Sequence, residues 1–295
     1  MATLRGILTM VLIVLNLLFW ATPLYLVAFI KLLPIAPLRV LCTRILVQLA
    51  QNWISGNQLI FRLTQDIRWD VAGVDGLQRR DWYLVICNHQ SWVDILVLQG
   101  VFNRRIPFLK FFLKKQLIWV PVLGFAWWAL DFPFMQRHSR EYLERHPEER
   151  GRDLEVTRRA CEHFSLLPTS VMNFVEGTRF TPAKHAAQGS PYRHLLKPRA
   201  GGTAFVLSAM GDILHRVVDV TIVYPGGAPS LWDMCCGRLA EVRVRVTERE
   251  TPSWAATGDY QEDAEFRARF QAWISELWAQ KDDEFELLQG KGVRR

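Results

Sequence analysis

Asn88-His89-Gln90-Ser91-Trp92-Val93-Asp94 sets a base and a carboxylate five residues apart, directly after the apolar run Tyr83-Leu84-Val85-Ile86-Cys87. An alcohol is a poor nucleophile until its proton is removed as it attacks, and histidine suits that task near neutral pH. A carboxylate on the other ring nitrogen would hold the tautomer and stabilise the imidazolium. The spacing carries a condition. Residues five apart on a regular helix stand about 140° apart. The pair therefore meets only if His89 precedes the helix on non-helical backbone and Asp94 lies in its first turn. Ser91 and Asp94 also fit a capping box, a purely local task for which aspartate is short. HxxxxD alone occurs often by chance, so other residues must add to it.

Phe174-Val175-Glu176-Gly177-Thr178-Arg179 follows a second strand-like run. Arg179 has the planar fork that matches a phosphate, and Gly177 permits close backbone approach. Taken alone, the segment also reads as a turn with a solvated arginine. Phe134-Met135-Gln136-Arg137 ends an apolar run in a cation, or simply begins the charged insert behind it. Leu196-Lys197-Pro198-Arg199-Ala200-Gly201-Gly202 is a basic turn entering a helix, where amides and cations favour an anion. The other histidines (His138, His146, His163, His185, His194 and His215) are isolated and read as loop or surface residues.

These residues need elements to hold them. Tyr83–Cys87, Ser170–Val175 and Val217–Tyr224 read as buried strands, and Val242, Val244 and Val246 alternate with arginines as a half-exposed one. Helices are predicted over 92–100 and 201–210, with a final amphipathic helix marked by Phe266, Phe270, Trp273, Ile274, Leu277 and Trp278. Residues 139–153 form a charged insert and 181–200 a long loop. Residues 106–135 are apolar and aromatic, suited to a core, to lipid contact or to an acyl channel. Strands alternating with helices predict an α/β fold, a layered sheet with flanking helices. A histidine after a buried strand then sits where such sheets place their ligands.

An N-terminal helical segment precedes that fold. Gly6 to Ile30 carries no charge and would make a helix of about 37 Å, enough for a bilayer core of about 30 Å. Pro23 should kink or break it, leaving either one tilted span or a hairpin dipping into one leaflet. Leu38, Leu41, Ile45, Leu49 and Trp53 repeat at helical spacing through 36–62, as an interfacial anchor or an ordinary core helix. The division is thus a membrane anchor over 1–62 and a second domain over 63–295. Lys31, Arg39 and Arg44 outnumber Arg5, which places the C-terminal side in the cytoplasm if the helix spans. The 12 tryptophans and 17 phenylalanines suit a bilayer interface as well as a core. A net charge of +7 fits anionic partners, but the basic residues are dispersed and no nucleic-acid pattern is present. The five cysteines show neither CxxC pairs nor metal spacing, so reduced thiols and no zinc are expected.

Four blocks, NHQSWVD, FPFMQR, FVEGTRF and VTIVYP, resemble in order and spacing those of the glycerolipid acyltransferases, the PlsC-type lysophosphatidic acid acyltransferase family. Together they are highly specific. LKPRAGG and the charged insert resemble one branch, that of bacterial probable acyltransferases and lysocardiolipin acyltransferase-like proteins. The resemblance implies acyl transfer from acyl-CoA or acyl carrier protein, without metal or cofactor, to a lysophospholipid hydroxyl. It implies His89 and Asp94 as the catalytic pair. It also implies Arg137, Glu176, Gly177, Thr178, Arg179, Lys197 and Arg199 as the substrate-binding set. The first expected acceptor is 1-acyl-glycerol-3-phosphate, giving phosphatidic acid. Lysophosphatidylglycerol and lysocardiolipin are the alternatives, and a many-member aspartate replaced here by Gln136 bears on that choice. A water-using thioesterase and a non-catalytic lipid-binding protein compete, and the latter has no need of both His89 and Asp94. The expected location is a bacterial inner membrane, with the catalytic domain cytoplasmic and membrane lipids as partners.

Overall fold

The computed structural model describes residues 1–135, 145, 164, 167–211, 213–260 and 262–290. Its centre is a six-stranded sheet in the order β1-β8-β7-β2-β6-β3. These strands are β1 (Arg68–Ala72), β2 (Tyr83–Cys87), β3 (Leu109–Phe111), β6 (Ser170–Phe174), β7 (Arg216–Val223) and β8 (Glu241–Glu250). β2 lies between β6 and β7 and runs parallel to both, whereas β7 and β8 are antiparallel. All five residues of β2 are buried, as expected of a strand covered on both faces.

Alternate β2 residues feed two cores. Tyr83, Val85 and Cys87 pack with α1 (Ala2–Lys31), α2 (Ala36–Thr64) and α3 (Val93–Phe102). Leu84 and Ile86 pack with α6 (Gly201–Met210) and the long α8 (Ala264–Gly290). The result is the layered α/β arrangement expected from the sequence. On one edge, β4 (Leu113–Lys114) and β5 (Phe134–Met135) pair in a small second sheet around α4 (Leu123–Ala129).

Several expectations are corrected. α1 runs unbroken through Pro23. It is held on both sides of the proline. The Asn16 side chain donates to Trp53 O and Asn57 Oδ1, both at 2.9 Å. Further on, Tyr25 donates to Val122 O at 2.6 Å, and Lys31 Nζ to Ala129 O at 2.9 Å and Asp131 at 2.7 Å. In α2 the core face is Cys42, Leu46, Ala50, Ile54 and Phe61, while Leu41 and Ile45 of the recognised repeat are exposed. The stretch 181–200 is not all loop, because α5 (Pro182–Gln188) lies inside it. In β8, Arg243 is buried rather than solvated, with its guanidinium on Glu241 and the Leu288 carbonyl. The charged insert falls outside the described residues except for Arg145.

α1 also has an outer face. Leu4, Leu8, Val11, Leu15, Leu18, Leu26 and Phe29 recur at helical spacing and are exposed. Length and composition would let this helix cross a membrane. Yet both ends rest on the sheet domain. Arg5 donates to Cys236 O at 2.8 Å, just beyond α7 (Leu231–Cys235), and Lys31 reaches Asp131.

Candidate active site

β2, β6 and β7 are adjacent and parallel, so the segments after their C-terminal ends converge. Those segments begin at Asn88, Val175 and Tyr224, which places the first, third and fourth sequence blocks together. Asn88 makes the junction rigid. Its side-chain amide donates to Ile222 O and accepts from Ile222 N, both at 2.9 Å, and so continues the β2–β7 ladder through a side chain.

His89 follows on non-helical backbone and α3 begins at Val93, meeting the geometric condition set by the five-residue spacing. Nδ1–H of His89 donates to Asp94 Oδ2 at 2.8 Å, an assignment that follows from an ionised aspartate accepting the bond. Nε2 is then the nitrogen left to take a proton. The imidazole stacks on Phe174, with ring centroids 3.8 Å apart and planes 14° apart. It is partly open, its side chain 13% exposed, while Asp94 is fully buried.

Of the two tasks weighed from the sequence, Asp94 performs the contact with histidine, whereas no capping box forms, because the N-cap is Trp92 and Ser91 Oγ accepts from Val93 N. Asp94 Oδ2 accepts the amides of Gln90 at 2.7 Å and Ser91 at 2.9 Å. The same oxygen takes His89. The short aspartate reaches because the 89–92 backbone turns over it. Ser91 Oγ donates to Pro229 O and accepts from Val93 N at 3.0 Å, which fastens that turn.

Glu176 faces inward. Its two oxygens accept His89 N and Leu196 N, each at 3.0 Å, and the residue is 1% exposed. Burial pushes its carboxyl up to about 8, against the lowering effect of those two amides. Its place is that of a tie between the His89 segment and the basic turn. Gly177 adopts φ +69°, a backbone conformation that favours glycine, and a Cβ there would lie 3.2 Å from Cδ of the exposed Arg199, which would have to shift by a few tenths of an ångström. Arg199 N donates to Val175 O at 2.7 Å, which brings LKPRAGG beside the third block. Lys197 and Arg199 are exposed.

Arg179 is exposed, its guanidinium 5.0 Å above the Trp92 ring, so the first and third blocks share a cationic, aromatic rim. Lys184 on α5 donates to Thr178 Oγ1 at 2.7 Å and to Arg179 O at 3.0 Å. Arg137 lies outside the described residues. Phe174, Phe111 and Phe132 form a run of rings leading away from His89. Among the described residues no cluster of three His, Cys, Asp or Glu could hold a metal ion.

Sequence reasoning missed Asn88, Lys184 and Tyr224. The last donates to Asp94 Oδ1 at 2.7 Å. Lys184 had a signal: Thr181, Pro182 and Gly189 are an N-cap, a first-turn proline and a left-handed C-cap around α5. The partners of Asn88 and Tyr224 are more than a hundred positions away, and no local pattern announces them.

Residues 68–225 match the family model named Acyltransferase. The chain is similar to 1-acyl-sn-glycerol-3-phosphate acyltransferase gamma from Homo sapiens, 28% identical over 221 residues, covering 71% of this chain and 54% of that one. It is similar to the delta protein from Mus musculus, 26% identical over 214 residues, 68% of this chain and 51% of that one. The chain thus spans about half the length of these curated relatives. Its fold is that of the crystal structure of the 1-acyl-sn-glycerophosphate (LPA) acyltransferase, PlsC, from Thermotoga maritima. That match has a TM-score of 0.59 at 14% identity and covers 97% of this chain and 98% of that one. With more than half of its residues inside the family match, and with that match enclosing His89, Asp94 and the segments around them, the chain belongs to the acyltransferase family.

Proposed function

We propose that this protein transfers a fatty acyl group from acyl-CoA or acyl carrier protein to the free hydroxyl of 1-acyl-glycerol-3-phosphate, giving phosphatidic acid. The observation that carries the proposal is the partly open His89 ring held through Nδ1 by buried Asp94. Nε2 takes the hydroxyl proton as the oxygen attacks the thioester carbonyl. The C–S bond of the tetrahedral intermediate then breaks, and the imidazolium returns its proton to the departing thiolate. Asp94 stabilises the transient cation. The products are the acylated lipid and a free thiol.

Acceptor binding falls to Arg179, aided by Thr178, Lys197, Arg199 and Arg137. Arginine presents two donors to a phosphate where lysine offers a point charge. The names of the similar proteins support a lysophosphatidic acid acceptor. The rings of Phe174, Phe111 and Phe132 supply an apolar wall for an acyl chain beside the base.

The unit that holds the membrane is the α1–α2 pair, the 1–62 anchor extended to Thr64. Crossing the bilayer would carry Arg5 away from the domain that it contacts. In-plane insertion keeps both ends of α1 on the domain and turns its apolar outer face into lipid. The cytoplasmic face of a bacterial inner membrane is where the donors named above meet such lipid.

An acceptor panel tests the reading. Purified full-length protein in vesicles is given labelled acyl-CoA or acyl carrier protein with each lysophospholipid, and products are read by lipid mass spectrometry. Phosphatidic acid formed only with lysophosphatidic acid present is the expected result. Release of free fatty acid without any acceptor would make the protein a thioesterase and overturn the proposal.

A further inference from the structure

The mechanism above uses only one oxygen of Asp94. Oδ2 accepts His89, Gln90 and Ser91, while Oδ1 points toward β7 and accepts the Tyr224 hydroxyl at 2.7 Å. Asp94 is fully buried and Tyr224 is 3% exposed, so water does not compete for this bond. We infer that Tyr224 is a positioning residue for acyl transfer, its hydroxyl holding the Asp94 carboxylate against the His89 ring. The inference rests on the proposed role of His89 as the base.

Three features favour this over simple core packing. A buried carboxylate oxygen without a donor is costly, so the hydroxyl fixes which way the carboxylate faces. Tyr224 stands directly after β7, and that end of β7 is locked to the His89 segment by Asn88 and by Gln90, whose amide donates to Ile222 O at 2.6 Å. Donor, carboxylate and imidazole therefore move as one unit. Finally, burial together with the Asp94 charge holds the Tyr224 hydroxyl well above its ordinary value, so it stays protonated and remains a donor wherever Asp94 is ionised. The hydroxyl also draws charge from the carboxylate, which limits how strongly Asp94 stabilises the imidazolium.

Tyr224→Phe removes one oxygen and leaves the ring in the core. Steady-state kinetics over a pH series should show kcat lowered about tenfold to hundredfold, with KM for donor and acceptor within about twofold of wild type. The acid limb of the kcat profile should move to higher pH by about half a unit, because the freed carboxylate pulls harder on the imidazolium. Other titratable groups around the unit, Cys87 on β2, Glu176 after β6, Asp219 on β7 and Lys281 on α8, are all present in the variant as in the wild type. A hydroxyl that only satisfies the buried carboxylate would, once removed, lower the melting temperature and leave the acid limb in place. Wild-type kcat and an unmoved limb, or a loss of activity matched by loss of folded protein, would overturn the inference. His89→Ala separates the two readings. If it is inactive while Tyr224→Phe behaves as wild type, only the tyrosine's role falls. If His89→Ala keeps turning over, the base itself is misassigned and this inference goes with it.

Discussion

A carboxyl at Glu176 that titrates near 8 makes the scaffold of the site depend on pH. Its folded value lies above its unfolded one, so folding takes up a proton between them. That contribution is complete below about 4.5 and is lost as pH rises through about 8. Chemical denaturation followed from pH 5 to 8.5 should show this fall, and Glu176→Gln should flatten it. The same substitution faces an amide N–H with an NH₂ group, which costs roughly 1–3 kcal/mol. On the rim, Arg179→Lys should raise KM for the lysophospholipid and lower kcat/KM about tenfold to hundredfold, with the donor KM little changed. An effect confined to the donor would place Arg179 on the donor's phosphates instead. At this scale the spacing of His89 and Asp94 was legible, because five residues across a helix start leave one geometry that closes. Glu176 was harder to place. A glutamate in a motif reads as a ligand group, and nothing nearby shows that Leu196 and His89 amides occupy it.

Among the elements, β2, β6 and β7 were legible as apolar runs because both faces of their sheet are covered. β1, at an edge and half exposed, gave no such run. β8 misled, because Arg243 satisfies its charge inside the protein rather than in water. α8 is bound to β7 in the same manner. Lys281 is fully buried, pairs with Asp219, and donates to Val220 O at 2.7 Å and Thr221 Oγ1 at 3.3 Å. Removing one partner leaves the other charge buried and uncompensated. Lys281→Ala should therefore destabilise the protein by about 3–5 kcal/mol, read as a lower midpoint in denaturant. A change under about 1 kcal/mol would mean that Arg249, 3.2 Å from the same aspartate, suffices alone.

For the whole molecule, the 1–62 segment is not an appendage. Leu24, Ala28, Leu46, Ala50 and Phe61 belong to the same core as β2 and α3, so deleting 1–62 should unfold the protein rather than release a soluble enzyme. Surface changes test lipid contact more cleanly. Leu15→Asp with Leu18→Asp, both on the exposed face of α1, should weaken flotation with vesicles while leaving thermal stability near wild type. Each acid placed among acyl chains costs up to about 2.5–3.5 kcal/mol. Unchanged flotation would move lipid contact away from α1. The uncharged run was legible in the sequence, but the contacts at its two ends were not, because Arg5 and Lys31 meet residues more than ninety positions away.

The proposed role of His89 is that of a base at the C-terminal ends of parallel strands. The rate of acceptor-dependent acyl transfer by His89→Ala, in the vesicles used for the wild type and with folding verified, tests this most directly. A fall of about 10²–10⁴-fold with membrane binding intact is expected. Turnover near the wild-type rate would contradict it.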